Sequence, residues 1–232
     1  MAKVSIKRFI MRRQLFPLRK LAVYFPYKQQ PRMSATGPKD TRSEDYTARL
    51  RGLQRVWWKR LLNVQAPYRR NIDRHLGGRR TLDVGCGIGR HLNHLTNESI
   101  GVDHNPDSVE LCLAQGLRAY VPDEFFADDT LGKFDGLLCA HVLEHLASGT
   151  QAEILAPYLD RLASGGWVMV ICPQERGYSS DSSHCDFVTG ERIAHLLTDL
   201  GLHVTLNYSF PLPRAFGPYF THNEFCVVAR KP

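Results

Sequence analysis

The stretch LDVGCGIGRHL, Leu82–Leu92, places three glycines within five residues, directly after an apolar run and an aspartate. A chain that leaves a buried strand here must turn abruptly, and glycine adopts the backbone angles that such a turn needs. The missing side chains also allow a ligand to lie against the backbone. The stretch therefore predicts a strand and a tight turn that binds a dinucleotide, binds a nucleoside or has no ligand.

The spacing of the glycines differs from the dinucleotide fingerprint G-x-G-x-x-G. The third glycine, Gly89, comes one residue early, and Arg90 stands where the fingerprint requires glycine. Asp103 then follows the next apolar run, in IGVDHNP. Because an acid at the end of that strand accepts hydrogen bonds from both hydroxyls of a ribose, the pattern indicates a nucleoside site.

Apolar patterns of the strand and helix types alternate after residue 80. Two helices are predicted first, at Tyr46–Leu62 and Pro67–Leu76. The predicted strands are TLDVG, SIGVD, RAYV, FDGLLCAH, WVMVICP, HVTLNYSF and EFCVVARK. The predicted helices between them are GRHLNHLT, PDSVELCLAQG, AEILAPYLDRLAS and GERIAHLLTDLG. This alternation predicts an α/β fold with a parallel sheet covered on both faces.

The composition favours a protein with one large core. Of 232 residues, 43% are hydrophobic, yet no apolar run approaches the roughly 18 residues of a membrane-spanning helix. The six cysteines form no C-x-x-C pair, which is typical of reduced thiols and predicts a cytoplasmic protein.

The positive charge is concentrated at the amino terminus. Residues 1–32 carry nine basic and no acidic side chains, so the net charge of +7 leaves −2 for residues 33–232. This basic arm has three interpretations: an amphipathic contact with a membrane or nucleic acid, a transit peptide, or a disordered extension ahead of a start at Met33. We divide the chain into the arm (1–42), a helical cap (43–78) and the main domain (79–232).

Four blocks carry a family resemblance: LDVGCGIGRHL, GVDHNPDSV, FDGLLCAHVLEHL and LASGGWVMVICP. Together, in this order, they resemble the class I S-adenosylmethionine-dependent methyltransferases over Leu82–Pro173. The resemblance implies a Rossmann-like, seven-stranded, mostly parallel sheet with helices on both faces and the last strand antiparallel.

The same resemblance implies a role for each block in binding S-adenosylmethionine. Asp83 and the glycine loop would hold the amino-acid part of the cofactor, although Asp83 also suits a purely structural buried acid. An acid after the third strand would meet the adenine amino group, and here Asp123 and Glu124 are equally reachable. The implied cofactor residues are Asp83, Gly85, Gly87, Gly89, Asp103 (ribose), His104 (adenine), Asp123, Ala140 and His141 (methionine part).

The block HVLEHL holds the strongest candidates for chemistry. His141, Glu144 and His145 lie at i, i+3 and i+4, so a helix beginning here would project all three from one face. Two imidazoles and a carboxylate bind a divalent metal, or supply a base that an acid orients. H-x-x-E-H is also the inverted zinc-protease signature, but its place at the end of a nucleotide-type strand argues against a protease.

A closer resemblance is the E-x-x-E-H motif of ubiquinone-type O-methyltransferases and small-RNA 2′-O-methyltransferases. In the latter the motif and a later histidine hold a metal that grips a vicinal diol. The implied metal residues here are His141, Glu144, His145 and His184, with Mg²⁺ or Mn²⁺ as the ion. His141 replaces the first glutamate, which makes the site softer than is usual for Mg²⁺. Without a metal, His145, His141 or His184 is the catalytic base; otherwise these histidines are packing or loop residues.

The acceptor is predicted from what surrounds the site. The insertion FPLPRAFGPYFTHNEF offers aromatic rings that suit sugars or phenols, or that simply pack the loop. The fourth strand ends in CAHV and not in the N/D-P-P-Y/F of amino-directed DNA methyltransferases, which favours oxygen. We therefore predict O-methylation of a small-molecule hydroxyl, as in a glycoside, by a monomer or homodimer. The alternatives are an RNA 2′-O-methyltransferase, which only the arm supports, and a non-catalytic cofactor-binding protein.

Overall fold

The computed structural model describes residues 65–232. The basic arm and the predicted helix Tyr46–Leu62 lie outside these residues. The helices are α1 (Ala66–Leu76), α2 (Pro106–Ala114), α3 (Pro122–Ala127), α4 (Gln151–Asp160), α5 (Glu175–Tyr178) and α6 (Gly190–Asp199). The strands are β1 (Thr81–Val84), β2 (Ile100–Val102), β3 (Ala119–Tyr120), β4 (Phe134–Ala140), β5 (Leu162–Pro173), β6 (His203–Phe210) and β7 (Glu224–Arg230).

The seven strands form one sheet in the order β3-β2-β1-β4-β5-β7-β6. The pairs among β1 to β5 are parallel, whereas β7 is antiparallel to both β5 and β6. The predicted fold class, including the antiparallel last strand, is confirmed. Because β7 runs the opposite way, its first residue lies at the edge where β4 and β5 end.

Helices cover both faces of the sheet, because the central strands are apolar on both sides. On one face, α3, α4 and α6 contribute Phe125, Leu155 and Ile193 to the larger core cluster. On the other face, Ile72 and Leu76 of α1 pack on apolar residues of β4, β5 and β7. Within residues 65–232, no helix is long and apolar enough to cross a membrane.

Two predicted elements are wrong in detail. The helix GRHLNHLT is a single 3₁₀ turn, Leu92–His94. The three loop glycines have positive φ, and the Leu92 amide bonds the buried Asp83 carboxylate, so no regular helix begins there. The helix AEILAPYLDRLAS ends at Asp160, and residues 162–166 already belong to β5, where a register shift opposite Phe134 accommodates them.

Candidate active site

The glycine loop leaves the end of β1 and folds back against β2. The amides of Gly85 and Cys86 both donate to the carbonyl of Val102, at 2.7 and 3.1 Å. A Cβ at Gly85 would lie 2.2 Å from Cγ2 of Val142, whereas a Cβ at Gly87 would meet no described atom within 4 Å. Gly85 is therefore required by packing within the protein, and Gly87 (φ +51°) faces open space in which a ligand can lie against the backbone.

Asp103 stands at the end of β2, directly below this loop. Its Oδ2 accepts from the Gly87 amide at 2.8 Å, and its Oδ1 accepts from the Asn105 amide at 2.9 Å. His104 lies beside it, with Nδ1 3.7 Å from Oδ1 and 43% of the side chain exposed. The structure thus brings the predicted ribose acid and the predicted adenine-side histidine next to the loop.

Asp83 is buried under the loop, and its Oδ2 has no hydrogen-bond partner within residues 65–232. Burial and the neighbouring Asp103 raise the pKa of Asp83 to about 7, although the Leu92 amide lowers it. A buried carboxyl with an unsatisfied oxygen is costly unless something binds it. An ammonium group, such as that of the cofactor's amino acid, would supply both the charge and the hydrogen bonds.

The predicted cofactor residues Asp123 and Ala140 lie in different surroundings. Asp123 and Glu124 lie in the first turn of α3, a helix that the sequence patterns did not predict, and both are exposed. Both follow closely on β3 in the chain and both are exposed, so the structure does not separate them. Ala140 is buried at the end of β4, in the core cluster shared with α1.

No α-helix begins at His141. His141 has φ +59°, a left-handed conformation that L-residues with side chains rarely adopt, and only a 3₁₀ turn, Leu143–His145, follows. Its imidazole lies between two carboxylates: Nε2 is 3.1 Å from Oε1 of Glu224, and Nδ1 is 3.3 Å from Oε1 of Glu144. Burial lowers the pKa of His141, but these two glutamates raise it to about 10.

The structure brings together three of the four predicted metal residues. Glu144, His145 and His184 each offer one ligand atom within 4.8 Å of the others. Glu144 is fully buried; its Oε1 pairs with Nδ1 of His141 at 3.3 Å, and its Oε2 has no hydrogen-bond partner in the described part of the chain. The structure does not bring His141 into this group, since its two nitrogens face carboxylates. His141 thus has a different setting from the other three residues, and its role as a metal ligand or base stays a prediction.

Backbone carbonyls fix the tautomers of both histidines in the group. His184 Nδ1 lies 2.7 Å from the Tyr178 carbonyl, and His145 Nδ1 lies 3.3 Å from the Ser183 carbonyl. Because a carbonyl only accepts, Nδ1 carries a proton in each ring, and in the neutral form of the ring Nε2 keeps its lone pair. Burial chiefly lowers the pKa of His145, which favours its neutral form. The arrangement suits both a proton acceptor and a metal ligand.

The loop after α5 is held to the end of β4 by its backbone. The amides of Cys185 and Asp186 donate to the Glu144 carbonyl, at 2.7 and 3.2 Å. The rings of His145 and His184 consequently meet edge to face, with centroids 4.8 Å apart. Sequence reasoning placed His184 at this edge but missed Glu224, which is 83 residues from His141. The one feature of the sequence that marks Glu224 is its place as the first residue of the last predicted strand.

The aromatic insertion between β6 and β7 flanks the same edge. Tyr68 of α1 meets Phe210 edge to face at 5.4 Å, and its hydroxyl donates to the His222 carbonyl at 3.0 Å. By contrast, Tyr219 is 81% exposed, and Arg214 pairs with Glu175. The insertion thus divides into an inner part near Glu224 and an outer part that faces solvent.

This architecture, a seven-stranded sheet with an antiparallel β7 and a glycine loop over an acid at the end of β2, defines a class I methyltransferase fold. The family model for the methyltransferase domain matches residues 57–207. The chain therefore belongs to the methyltransferase-domain family and is a class I S-adenosylmethionine-dependent methyltransferase.

Curated relatives of the chain include ubiquinone biosynthesis O-methyltransferases. The protein of Paracidovorax citrulli is 30% identical over 104 residues, covering 40% of this chain and 43% of its own. That of Methylococcus capsulatus is 32% identical over 130 residues, covering 48% and 54%. The chain thus spans about half the length of the curated relatives it matches.

Solved structures share the fold at low identity. A SAM-dependent methyltransferase from Archaeoglobus fulgidus has a TM-score of 0.55 at 23% identity and covers 72% of this chain and 93% of its own. The N-methyltransferase NodS from Bradyrhizobium japonicum, solved with S-adenosylhomocysteine, has a TM-score of 0.53 at 18% identity and covers 70% and 84%.

Proposed function

We propose that this protein transfers a methyl group from S-adenosylmethionine to a hydroxyl of a small molecule, and that Glu144, His145 and His184 activate that hydroxyl. The observation that carries the proposal is the convergence of this group at the carboxyl edge of the sheet, with Nδ1 of each ring turned to a backbone carbonyl. The O-methyltransferase relatives support oxygen as the acceptor atom.

The chemistry asks little of the enzyme beyond alignment and proton removal, because the sulfonium already activates the methyl carbon. A hydroxyl is a weak nucleophile until a base within hydrogen-bond reach takes its proton. We assign this step to Nε2 of His145 or His184, because a backbone carbonyl orients Nδ1 of each ring. The buried Glu144 carboxylate stabilises the imidazolium that forms. His141, already paired with two carboxylates, takes no proton.

The same three residues fit a divalent cation. The buried Glu144 carboxylate, whose Oε2 has no hydrogen-bond partner in the described residues, and one nitrogen of each imidazole form a mixed donor set. This set favours Mn²⁺ or another first-row ion over Mg²⁺, which prefers oxygen ligands. When bound, such an ion lowers the pKa of a hydroxyl that coordinates it.

The acceptor class is tested by methyl transfer from labelled S-adenosylmethionine to glycosides, catechols, simple phenols and short RNAs. Each reaction is run with Mg²⁺, with Mn²⁺ and with a chelator. We expect label on a glycoside or a catechol, because vicinal hydroxyls present two oxygens to the group. Loss of transfer with chelator supports the cation, and transfer that ignores chelator leaves the histidines as bases. Label on RNA alone, or on no acceptor despite cofactor binding, contradicts the proposal.

A further inference from the structure

Glu224 lies at the carboxyl edge of the sheet only because β7 is antiparallel. Its side chain is 12% exposed, and Oε1 lies 3.1 Å from Nε2 of His141. Its backbone carbonyl accepts from Nε2 of the buried Gln174 at 3.0 Å, which fixes the start of β7 against the end of β5. The backbone of Glu224 and its carboxylate are thus each held by one hydrogen bond.

A short chain of contacts connects this carboxylate to the cofactor loop. Val142, the residue after His141, packs so closely on Gly85 that a Cβ there would lie 2.2 Å from it. His141 therefore stands directly beside the loop, with 38% of its side chain exposed. A ligand lying along the loop toward the end of β4 would come next to this imidazole, behind which the two carboxylates lie.

The row Glu144–His141–Glu224 carries excess negative charge. Two carboxylates flank a single imidazole, so the row keeps at least one net negative charge whether or not the ring is protonated. The sulfonium of S-adenosylmethionine is cationic, whereas the thioether of S-adenosylhomocysteine is neutral. In a site partly shielded from water, this difference in charge is worth more than it is in bulk solvent.

We propose that Glu224 is a further residue of the cofactor site, and that its negative charge makes the site bind the cationic substrate S-adenosylmethionine in preference to the neutral product S-adenosylhomocysteine. Glu144 shares this field but also belongs to the group that activates the acceptor. Glu224 can therefore be changed without removing a member of that group. The inference needs only the cofactor and is independent of which acceptor is methylated.

The test compares the binding of three ligands by calorimetry: S-adenosylmethionine, S-adenosylhomocysteine and sinefungin, whose amine places a cation where the sulfonium would be. In Glu224→Gln, which keeps the size of the side chain, we expect affinity for the two cationic ligands to fall about 10-fold. Affinity for S-adenosylhomocysteine should stay within about twofold. Glu224→Asp, which keeps the charge, should retain most of the preference.

Glu175→Gln is the matched control, because Glu175 follows the end of β5, the strand end that Glu224 pairs with, but its side chain pairs with Arg214 and not with His141. Its three affinities should be unchanged. Equal losses for all three ligands in Glu224→Gln would show a role in shape alone, and no loss would show that the carboxylate is too distant. Either result overturns the proposal. If Glu224→Gln does not fold, loss of the preference in folded Glu224→Asp also overturns it. A failure of hydroxyl methylation would leave these affinities unaffected.

Discussion

Replacing Gly87 by alanine adds a single Cβ atom, which should weaken cofactor binding more than it weakens folding. The backbone at Gly87 has φ +51°, and an added Cβ meets no described atom within 4 Å. Its amide, which donates to Asp103, is kept in the variant. We therefore expect a folding cost from the left-handed conformation alone, about 1–2 kcal/mol. For a domain of this size the corresponding fall in Tm is about 2–8 °C.

The effect on the cofactor should be larger than the effect on folding. If the ligand lies in van der Waals contact with the loop, a methyl group in that space acts like an overpacked core position, which costs about 1–3 kcal/mol. Affinity for S-adenosylhomocysteine should then fall about 10- to 100-fold. Titration calorimetry and thermal melts on the same samples measure both quantities.

Two other glycines serve as controls. Gly116 has φ +78° and an equally empty Cβ position after α2, so Gly116→Ala should show the same fall in Tm with unchanged cofactor affinity. Gly85→Ala should fail to fold normally, because its Cβ would lie within 2.2 Å of Val142. Unchanged affinity in a folded Gly87→Ala protein would refute the placement of the ligand along this loop.

Three further predictions follow from burial and hydrogen bonding. Because the folded-state pKa of Asp83 is raised to about 7, its contribution to stability is complete at low pH and is lost as the pH rises from about 4 through 7. Between these pH values, the free energy of unfolding of Asp83→Asn should rise relative to that of the wild type by at most about 4 kcal/mol. Denaturant unfolding without cofactor measures this difference, and parallel pH profiles of the two proteins would contradict the assignment. His184→Ala should lower kcat/KM about 100-fold or more and leave the affinity for S-adenosylhomocysteine unchanged. The control Ser182→Ala, at an exposed neighbour, should match the wild type. If His184→Ala is as active as the wild type, His184 does not belong to the site. Asn223 is buried and bonds Gln174, Ser209 and the Leu212 amide, so Asn223→Ala should lower the free energy of unfolding by about 2–4 kcal/mol, and a change below about 0.5 kcal/mol would show that the network is dispensable.

Much of the fold could be predicted from sequence because its signals are local. Apolar runs of the strand type predicted all seven strands. Glycines such as Gly116 and Gly201, which adopt positive φ, indicated where helices end. The order of the four blocks then implied the strand that runs antiparallel. The wrong predictions of elements were also local. GRHLNHLT has the composition of a helix, but the glycines before it and the hydrogen bond that the Leu92 amide donates to the Asp83 carboxylate prevent a regular helix.

The site was predictable only in part, for a reason that lies in chain topology. The sequence by itself determined the residue types at the ends of β1, β2 and β4, because each of them sits directly after an apolar run. Only the tertiary structure decided that His141 adopts φ +59° and turns toward Glu224, while Glu144 and His145 meet His184. These contacts join residues 39 to 83 positions apart, and packing of the whole sheet, not any local preference, fixes the distances between their polar atoms.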